Sequence, residues 1–454
     1  MKLEGKTVLV VGTGISGIGA TELLYKVQAK PVLFDSNKEV KAETIREKLP
    51  EGIEAEILVG EIPAEIDACI ELVVISPGVP VDCELVEAYK AKHIPVWGEI
   101  ELAYQYAKGN VLAITGTNGK TTTTSLLGQM MKDYFKSVYV VGNIGNPYTQ
   151  IALDTQEDTV TVAEISSFQL ETIEAFRPAV SAILNITPDH LNRHHTMENY
   201  IAVKEAIASN QTAENTCVLN YEDEYTRTFG KETKANVIYF SSARALEKGI
   251  YLADEMIWFA DGSHEPEQLM NIHEMKLIGT HNVENVMAAI AMAKSFGLPM
   301  ESILNTVREF KAVEHRIEFV ATKKGVDYYN DSKGTNPDAA IKGIKAMNKP
   351  TLLIGGGYDK QNEYDEWIEA FDGKVKELIL IGQTREKIAE CAKKHGFHNI
   401  IFAESLEEVM KICVEKAMPG DAVLLSPACA SWGMFPNYEV RGSMFKEYVN
   451  NIKE

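Results

Sequence analysis

The chain has 454 residues, too many for a single hydrophobic core, so about two to four domains are expected. Its 45% hydrophobic and 24% charged content is that of ordinary globular proteins, and no apolar run reaches bilayer-crossing length. The 45 basic and 65 acidic residues leave a net charge of −20. Such a surface repels nucleic acid and anionic membranes, so neither is an expected partner, and a phosphate-bearing substrate must be gathered by local Lys, Arg and backbone N–H groups.

The first residues, MKLEGKTVLVVGTGISG, place a strand and a glycine turn where a secretion signal needs a clean apolar stretch and a small-residue cleavage site. A cytoplasmic protein is expected. Three segments then alternate short β-branched runs with longer helical patterns, the mark of βα units. The first carries strands at 7–12, 31–35, 55–60 and 72–76. The second carries them at 111–116, 137–142, 158–166 and 179–187 and closes with helices after His281. The third opens on a hairpin at 316–331 and continues with strands at 351–357, 375–382 and 421–427. The expected fold class is α/β in three domains: a Rossmann-like domain at 1–98, a central P-loop ATP-binding domain with a mainly parallel sheet at 99–311, and a second Rossmann-like domain at 312–454. Six scattered cysteines (Cys69, Cys83, Cys217, Cys391, Cys413, Cys429) contain no C-x-x-C pair, which argues against both a structural zinc site and a disulfide framework.

In the first segment, Gly12-Thr-Gly14-Ile-Ser-Gly17 follows a strand and opens a helix, and Asp35 ends the next strand. That is the dinucleotide fingerprint. Taken alone it suggests an NAD-dependent dehydrogenase, yet nothing downstream supplies hydride chemistry and a stronger phosphate loop follows. A nucleotide-diphosphate handle on the substrate explains both loops more simply, with Ser76-Pro77-Gly78 at the same sheet edge; NAD is not expected.

The stronger loop is Thr115-Gly116-Thr117-Asn118-Gly119-Lys120-Thr121-Thr122, between the strand VLAI and a helical segment. Strand, glycine turn and helix N-terminus present backbone N–H groups and a positive dipole end to a phosphate. Lys120 is placed to reach the terminal phosphates and Thr121 to bind magnesium. Its G-x-x-G-K-T spacing is shorter than the common P-loop pattern. Glu164 ends the strand VTVAE, while Asp189 and His190 follow AILNIT, so carboxylates and an imidazole gather at strand ends facing the loop, as a magnesium–nucleotide site requires. The run His190-Leu-Asn-Arg-His194-His195 lacks the thiols or spaced carboxylate of a zinc site. Lys204, in AVKEAIA, reads locally as an ordinary surface lysine.

TGTNGKTT, VAEISSFQLE (162–171), NITPDHLNRH (185–194), GTHNVENVMAA (279–289), EHR (314–316), YNDSKGTNPDA (329–339) and LLSPACASWGMFPNYEVRG (424–442) together resemble the Mur ligase family over nearly the whole chain. Three of these words, SSFQLE, D-S-K-x-T-N-P and S-P-A-C-A-S, are similar to those of the member that adds D-glutamate. The resemblance implies ATP as co-substrate, two magnesium ions, and UDP-N-acetylmuramoyl-L-alanine and D-glutamate as partners. It implies that Lys120, Thr121, Thr122 and the loop residues Gly116, Thr117, Asn118 and Gly119 hold the ATP phosphates, joined by Asn282, Asn285, Arg316 and Asp331. Glu164, His190 and Thr121 would ligate metal together with Lys204 as a carbamate. Ile15, Ser16, Ser36, Gly78, Asn143 and His190 would line the uridine-linked substrate, and Lys333, Thr335, Lys360, Ser431 and Tyr438 would bind D-glutamate. Trp432, Tyr438 and the lead-in GGGYDK (355–360) depart from the family pattern around that last pocket. The implied chemistry is ATP-driven amide formation through an acyl phosphate, with domain closure in the cycle and a monomeric protein. Another Mur ligase or a folylpolyglutamate synthase would keep ATP and the phosphate loop but change both substrates, and a nucleotide switch would need neither the metal cluster nor an amino-acid pocket.

Overall fold

The computed structural model describes residues 2–311 and 313–453; Ala312, where the third domain was expected to begin, and the terminal residues Met1 and Glu454 lie outside them. The described residues build three sheets. In the first, β1 (Thr7–Val11), β2 (Lys30–Asp35), β3 (Glu56–Val59), β4 (Ile70–Ile75) and β5 (Val96–Gly98) run parallel in the order β3-β2-β1-β4-β5. Val8–Val11 of β1 and Leu72–Ile75 of β4 are continuous Val, Leu and Ile runs buried on both faces, as a parallel sheet covered by helices requires. Chain order reverses between β1 and β4, the point at which open α/β sheets bind ligands outside the strands' carboxyl ends. The four expected strands are present, and β5 is an addition of only three residues.

The second sheet contains β6 (Asn110–Thr115), β7 (Val138–Gly142), β8 (Val160–Glu164), β9 (Val180–Ile183), β10 (Thr216–Asn220), β11 (Asn236–Ser241), β12 (Lys248–Ala253), β13 (Met256–Asp261) and β14 (Glu267–Asn271). Their order is β14-β13-β12-β11-β10-β9-β6-β8-β7. Pairing is parallel from β7 to β12 and antiparallel in the β12-β13-β14 meander. No strands were expected between 188 and the helices after His281, so β10 to β14 are additions. These strands are short, and the β12–β13 turn lacks the usual Asn-Gly or Asp-Gly signal. Instead Asp254 and Glu255 adopt φ of 49° and 60° between the paired residues Ala253 and Met256. Glu255→Gly should therefore raise the thermal midpoint. Relief of about 1–2 kcal/mol of left-handed strain exceeds the glycine entropy cost of about 0.5–1 kcal/mol. A lowered midpoint in a melting experiment would mean that the Glu255–His273 ion pair at 3.3 Å outweighs the strain.

The third sheet contains β15 (Glu318–Lys323), β16 (Val326–Asn330), β17 (Thr351–Gly355), β18 (Val375–Leu380), β19 (Ile400–Phe402) and β20 (Ala422–Leu425), in the order β15-β16-β20-β17-β18-β19. Only the β15–β16 hairpin is antiparallel. The expected hairpin and three later strands are all here, with β19 as an extra three-residue edge.

The chain forms two compact units, Met1–Glu274 with Glu284–Arg308, and Met275–Val283 with Glu309–Glu454. The first holds two sheets over one shared core, in which Val8, Leu23 and Leu102 pack with Tyr148, Ile165 and Ile183. The helix Glu99–Tyr104 links them. Its buried Glu101 accepts hydrogen bonds from the backbone N–H groups of Glu174, Ala175 and Phe176 at 2.8–3.1 Å, a charge satisfied by the backbone rather than by a cation. Among the described residues, no helix is long and apolar enough to cross a membrane.

Candidate active site

The glycine-rich loop after β6 leads into the helix Lys120–Tyr134. Gly119 caps that helix at φ 87°, and a Cβ there would stand 2.1 Å from Asn285 Oδ1, so both backbone and space demand glycine. Lys120 Nζ donates to the carbonyls of Gly116 and Thr117, each at 2.9 Å. Lys204 Nζ donates to the same Gly116 carbonyl at 2.8 Å. Far from lying on the surface, Lys204 is 1% exposed. Burial, helped by the charge of Lys120, holds its amine well below the ordinary lysine range. A neutral amine is the form that attacks carbon dioxide, so this environment suits a carbamate.

Asn185, which follows β9, braces the loop. Its side chain accepts from Asn118 N–H at 2.8 Å and donates to the Asn118 carbonyl at 3.1 Å. Thr117 completes the brace: its hydroxyl donates to the Thr187 carbonyl at 3.1 Å, accepts from Thr187 N–H at 3.0 Å and lies 3.1 Å from the Tyr200 hydroxyl. Asn185 is a bracing residue that no sequence motif singles out.

Glu164 ends β8 in register with Ile114 of β6. It is 1% exposed; Oε1 accepts from Asn143 Nδ2 at 2.7 Å, and Oε2 has no hydrogen-bond partner. A buried carboxylate oxygen without a donor costs free energy unless a cation meets it, so the donor set fits a hard divalent metal. Thr121 is buried at the start of the helix. His190 adopts φ 53°, and its ring lies 4.9 Å from the ring of Phe168 and 3.5 Å from Asp189 Oδ2. The three histidines of the H-L-N-R-H-H run part ways. His194 is buried against the Ser167 hydroxyl at 2.9 Å and pushed down to about 4, chiefly by burial, and exposed His195 pairs with Asp82 at 2.8 Å.

At the switch point of the first sheet, Gly17 packs so tightly that a Cβ would lie 1.9 Å from the Gly12 carbonyl oxygen. Asp35 accepts from the Thr13 hydroxyl at 2.5 Å. A cavity of about 710 Å³ opens here between Gly12, Phe34, Asp35, Ser36, Gly78 and Val79. It brings Ser36 and Gly78 together; Ile15, 74% exposed, and Ser16 stand at the head of the adjoining helix. Asn143 lies elsewhere, past β7 against Glu164. Arg193 ties the two sheets' loops by donating to the Val79 carbonyl at 2.7 Å and pairing with Glu171 at 2.6 Å.

In the second unit, Asp331 follows β16 in full burial, which pushes its carboxyl up to about 7 despite a 2.7 Å hydrogen bond from the Ser426 hydroxyl. Nearby, Arg316 Nε is buried without a partner, and Asn282 Nδ2 donates to the Ile278 carbonyl at 2.8 Å. Lys333 Nζ stands 5.5 Å from the Tyr438 ring centre, and Lys360 Nζ 5.4 Å from that of Trp432. The two aromatic departures from the family pattern thus each sit under a lysine. Thr335 N–H donates to the Lys333 carbonyl at 2.9 Å, and Ser431 is buried. Arg441, absent from the expected site, joins these pieces. Its guanidinium, pushed down to about 10 by burial, donates to the Ser332 hydroxyl at 3.0 Å, the Ser332 carbonyl at 2.8 Å and the Cys429 carbonyl at 3.3 Å. It clamps the loop carrying Lys333 to the loop carrying Ser431.

Residues 6–98 match the Mur ligase MurD-like N-terminal domain, 114–293 the Mur ligase middle domain, and 315–429 the Mur ligase glutamate ligase domain. The chain is 60% identical over 452 residues to UDP-N-acetylmuramoylalanine–D-glutamate ligase of Lachnospira eligens, and 45% identical over 454 residues to that of Clostridioides difficile, covering 100% of each chain. Among solved structures, it resembles UDP-N-acetylmuramate-alanine ligase MurC of Thermotoga maritima, with a TM-score of 0.62 and 19% identity over 99% of this chain and 100% of that one. It also resembles MurF ligase of the same organism, solved in complex with ADP, with a TM-score of 0.60 and 17% identity over 98% and 95%. These distant structures share the fold, the full-length relatives share the sequence, and the chain belongs to the Mur ligase family.

Proposed function

We infer that this protein is an ATP-dependent ligase that adds D-glutamate to UDP-N-acetylmuramoyl-L-alanine, giving ADP and phosphate, as a monomer in cytoplasmic peptidoglycan precursor synthesis. The observation that carries the reading is the meeting of Lys120 and Lys204 on one loop carbonyl after β6, with the buried, half-partnered carboxylate of Glu164 at the end of the neighbouring strand β8. The full-length relatives supply the substrates.

Residues 1–98 would hold the uridine-linked substrate through Ile15, Ser16, Ser36 and Gly78, with Asn143 and His190 from the central domain. Residues 99–311 would hold ATP on Gly116 to Thr122 with Asn282 and Asn285, aided by Arg316 and Asp331 from residues 312–454. Lys333, Thr335, Lys360, Ser431 and Tyr438 would receive D-glutamate, the lysines pairing with its carboxylates. The L-alanine carboxylate attacks the γ-phosphorus, the bond to ADP breaks, and an acyl phosphate forms. The D-glutamate amine then adds to the acyl carbon and phosphate departs with the bond electrons. Lys120 moves from the loop carbonyls to the transferring phosphoryl group and stabilises its charge. Two magnesium ions, held by Thr121, Glu164, His190 and carbamylated Lys204, would neutralise phosphate charge so that two anions can approach.

The test is phosphate release from ATP and magnesium with UDP-N-acetylmuramoyl-L-alanine, comparing D-glutamate with L-glutamate, L-lysine and no amino acid. Release dependent on D-glutamate alone is the expected result. Release with a different amino acid would reassign the second substrate, and none with any of them would overturn the ligase.

A further inference from the structure

The helix Arg385–Lys394 ends on His395, whose N–H donates to the Cys391 carbonyl at 3.2 Å. Cys391 and His395 are therefore one turn apart and leave the same face. The helix Asp365–Glu369 packs against it and presents Asp365 and Glu369 at the same spacing. His395 Nε2 lies 2.9 Å from Asp365 Oδ1, and Nδ1 lies 3.7 Å from Glu369 Oε1. Ligand atoms of Asp365, Cys391 and His395 all fall within 4.8 Å of one another. Both the imidazole and the thiol hydrogen-bond to the Asp365 carboxylate, which is held below its ordinary range mainly by His395. The Cys391 thiol is raised by partial burial and by that carboxylate. Two proton donors thus converge on one acidic group, with Glu363 adding negative charge and Lys394 opposing it.

The geometry points to a zinc-type metal site on this helix pair, with Cys391 Sγ, His395 Nε2 and an Asp365 oxygen as ligands and water in the fourth position. A mixed thiolate, imidazole and carboxylate set selects zinc over magnesium. Zinc bonds of about 2.0–2.3 Å in a tetrahedral site require the Asp365 and His395 atoms, now 2.9 Å apart, to part slightly around the ion, which the half-exposed Asp365 side chain can do by rotation. Binding breaks the Cys391 S–H bond, releases that proton to solvent and forms the S–Zn bond. Glu369 then stands where a carboxylate steadies a metal-bound imidazole through its other nitrogen. A search for C-x-x-C pairs misses the arrangement, because the ligands come from two helices on either side of β18. The site also bears on the loop of Lys360. Tyr364, next to Asp365, puts its hydroxyl 3.1 Å from Cys429 Sγ, and Lys387 of the longer helix lies 3.7 Å from Asp359. Metal there would fasten both ends of segment 359–365.

The test titrates the full chain, stripped with chelator and kept reduced, with Co2+. The expected result is a thiolate-to-cobalt charge-transfer band with tetrahedral visible bands, saturating at one ion per chain and erased by Zn2+. A cobalt ion at the magnesium site would give no thiolate band, since no thiol belongs to that site. Cys391→Ser should abolish the band, and Asp365→Asn, at a half-exposed position that keeps the fold, should weaken cobalt affinity at least about tenfold. No band in the folded wild type, a band that persists in Cys391→Ser, or unchanged affinity in Asp365→Asn overturns the site. If Cys391→Ser fails to fold, the Asp365→Asn titration decides alone.

Discussion

Lys120→Ala should lower phosphate release by at least about 100- to 1000-fold, the typical cost of removing one fixed stabilising group from a transferring oxyanion, while the protein stays folded. In the resting loop, the ammonium donates to two carbonyls, and that of Gly116 also accepts from Lys204, so this carbonyl keeps a donor without Lys120 and the melting temperature should move little. The loop's shape does not depend on it, because Asn185 and Thr117 hold Asn118 and Thr187 independently. The two readouts are steady-state phosphate release and a thermal melt. Near-normal turnover would sink the phosphate-loop assignment. Lost turnover together with a collapsed melt would instead make Lys120 a structural residue.

Lys204→Ala should be as damaging to turnover, for a different reason. Its amine sits in a buried pocket beside another cation, which disfavours the ammonium form. The folded state therefore binds that proton less readily than the unfolded chain does. The resulting penalty on stability is fully present at low pH and fades as pH rises toward the ordinary lysine value of 10.5. At neutral pH the same penalty favours conversion to a carbamate. Labelled bicarbonate should give a carbamate carbon signal in the wild type that Lys204→Ala lacks, and added short-chain carboxylates should restore part of the lost rate by filling the space. Full activity in Lys204→Ala would remove the carbamate from the mechanism. A missing carbon signal alongside lost activity would leave the lysine acting as an amine on the Gly116 carbonyl.

The sequence was legible where local pattern and tertiary role coincide. The phosphate loop, Glu164 and His190 all follow strands whose β-branched runs are unmistakable, and the parallel topology carries such strand ends to one edge. Lys204 was illegible because a nine-residue helix with polar and apolar residues mixed around it gives no hint of which face is buried. Asn185 and Arg441 were illegible for another reason. Each satisfies backbone atoms far along the chain, Asn118 at 67 residues and Ser332 at 109, and no periodicity encodes such a partner. The strands β10 to β14 were lost to turn chemistry: Asp254-Glu255 makes a hairpin without glycine or asparagine.

The order of the third sheet has a bearing on biosynthesis. β20, the latest of this sheet's described strands in chain order, belongs in the middle, between β16 and β17. Until it arrives, the nascent chain must keep two inner strands apart, each with an unsatisfied row of N–H and C=O groups. The first unit, Glu284–Arg308 included, is synthesised entirely before that stage. Arg441 comes later still, so the loops carrying Lys333 and Ser431 are clamped together only after β20 has emerged. During synthesis, this sheet is the stretch of the molecule most exposed to mispairing and to chaperone capture.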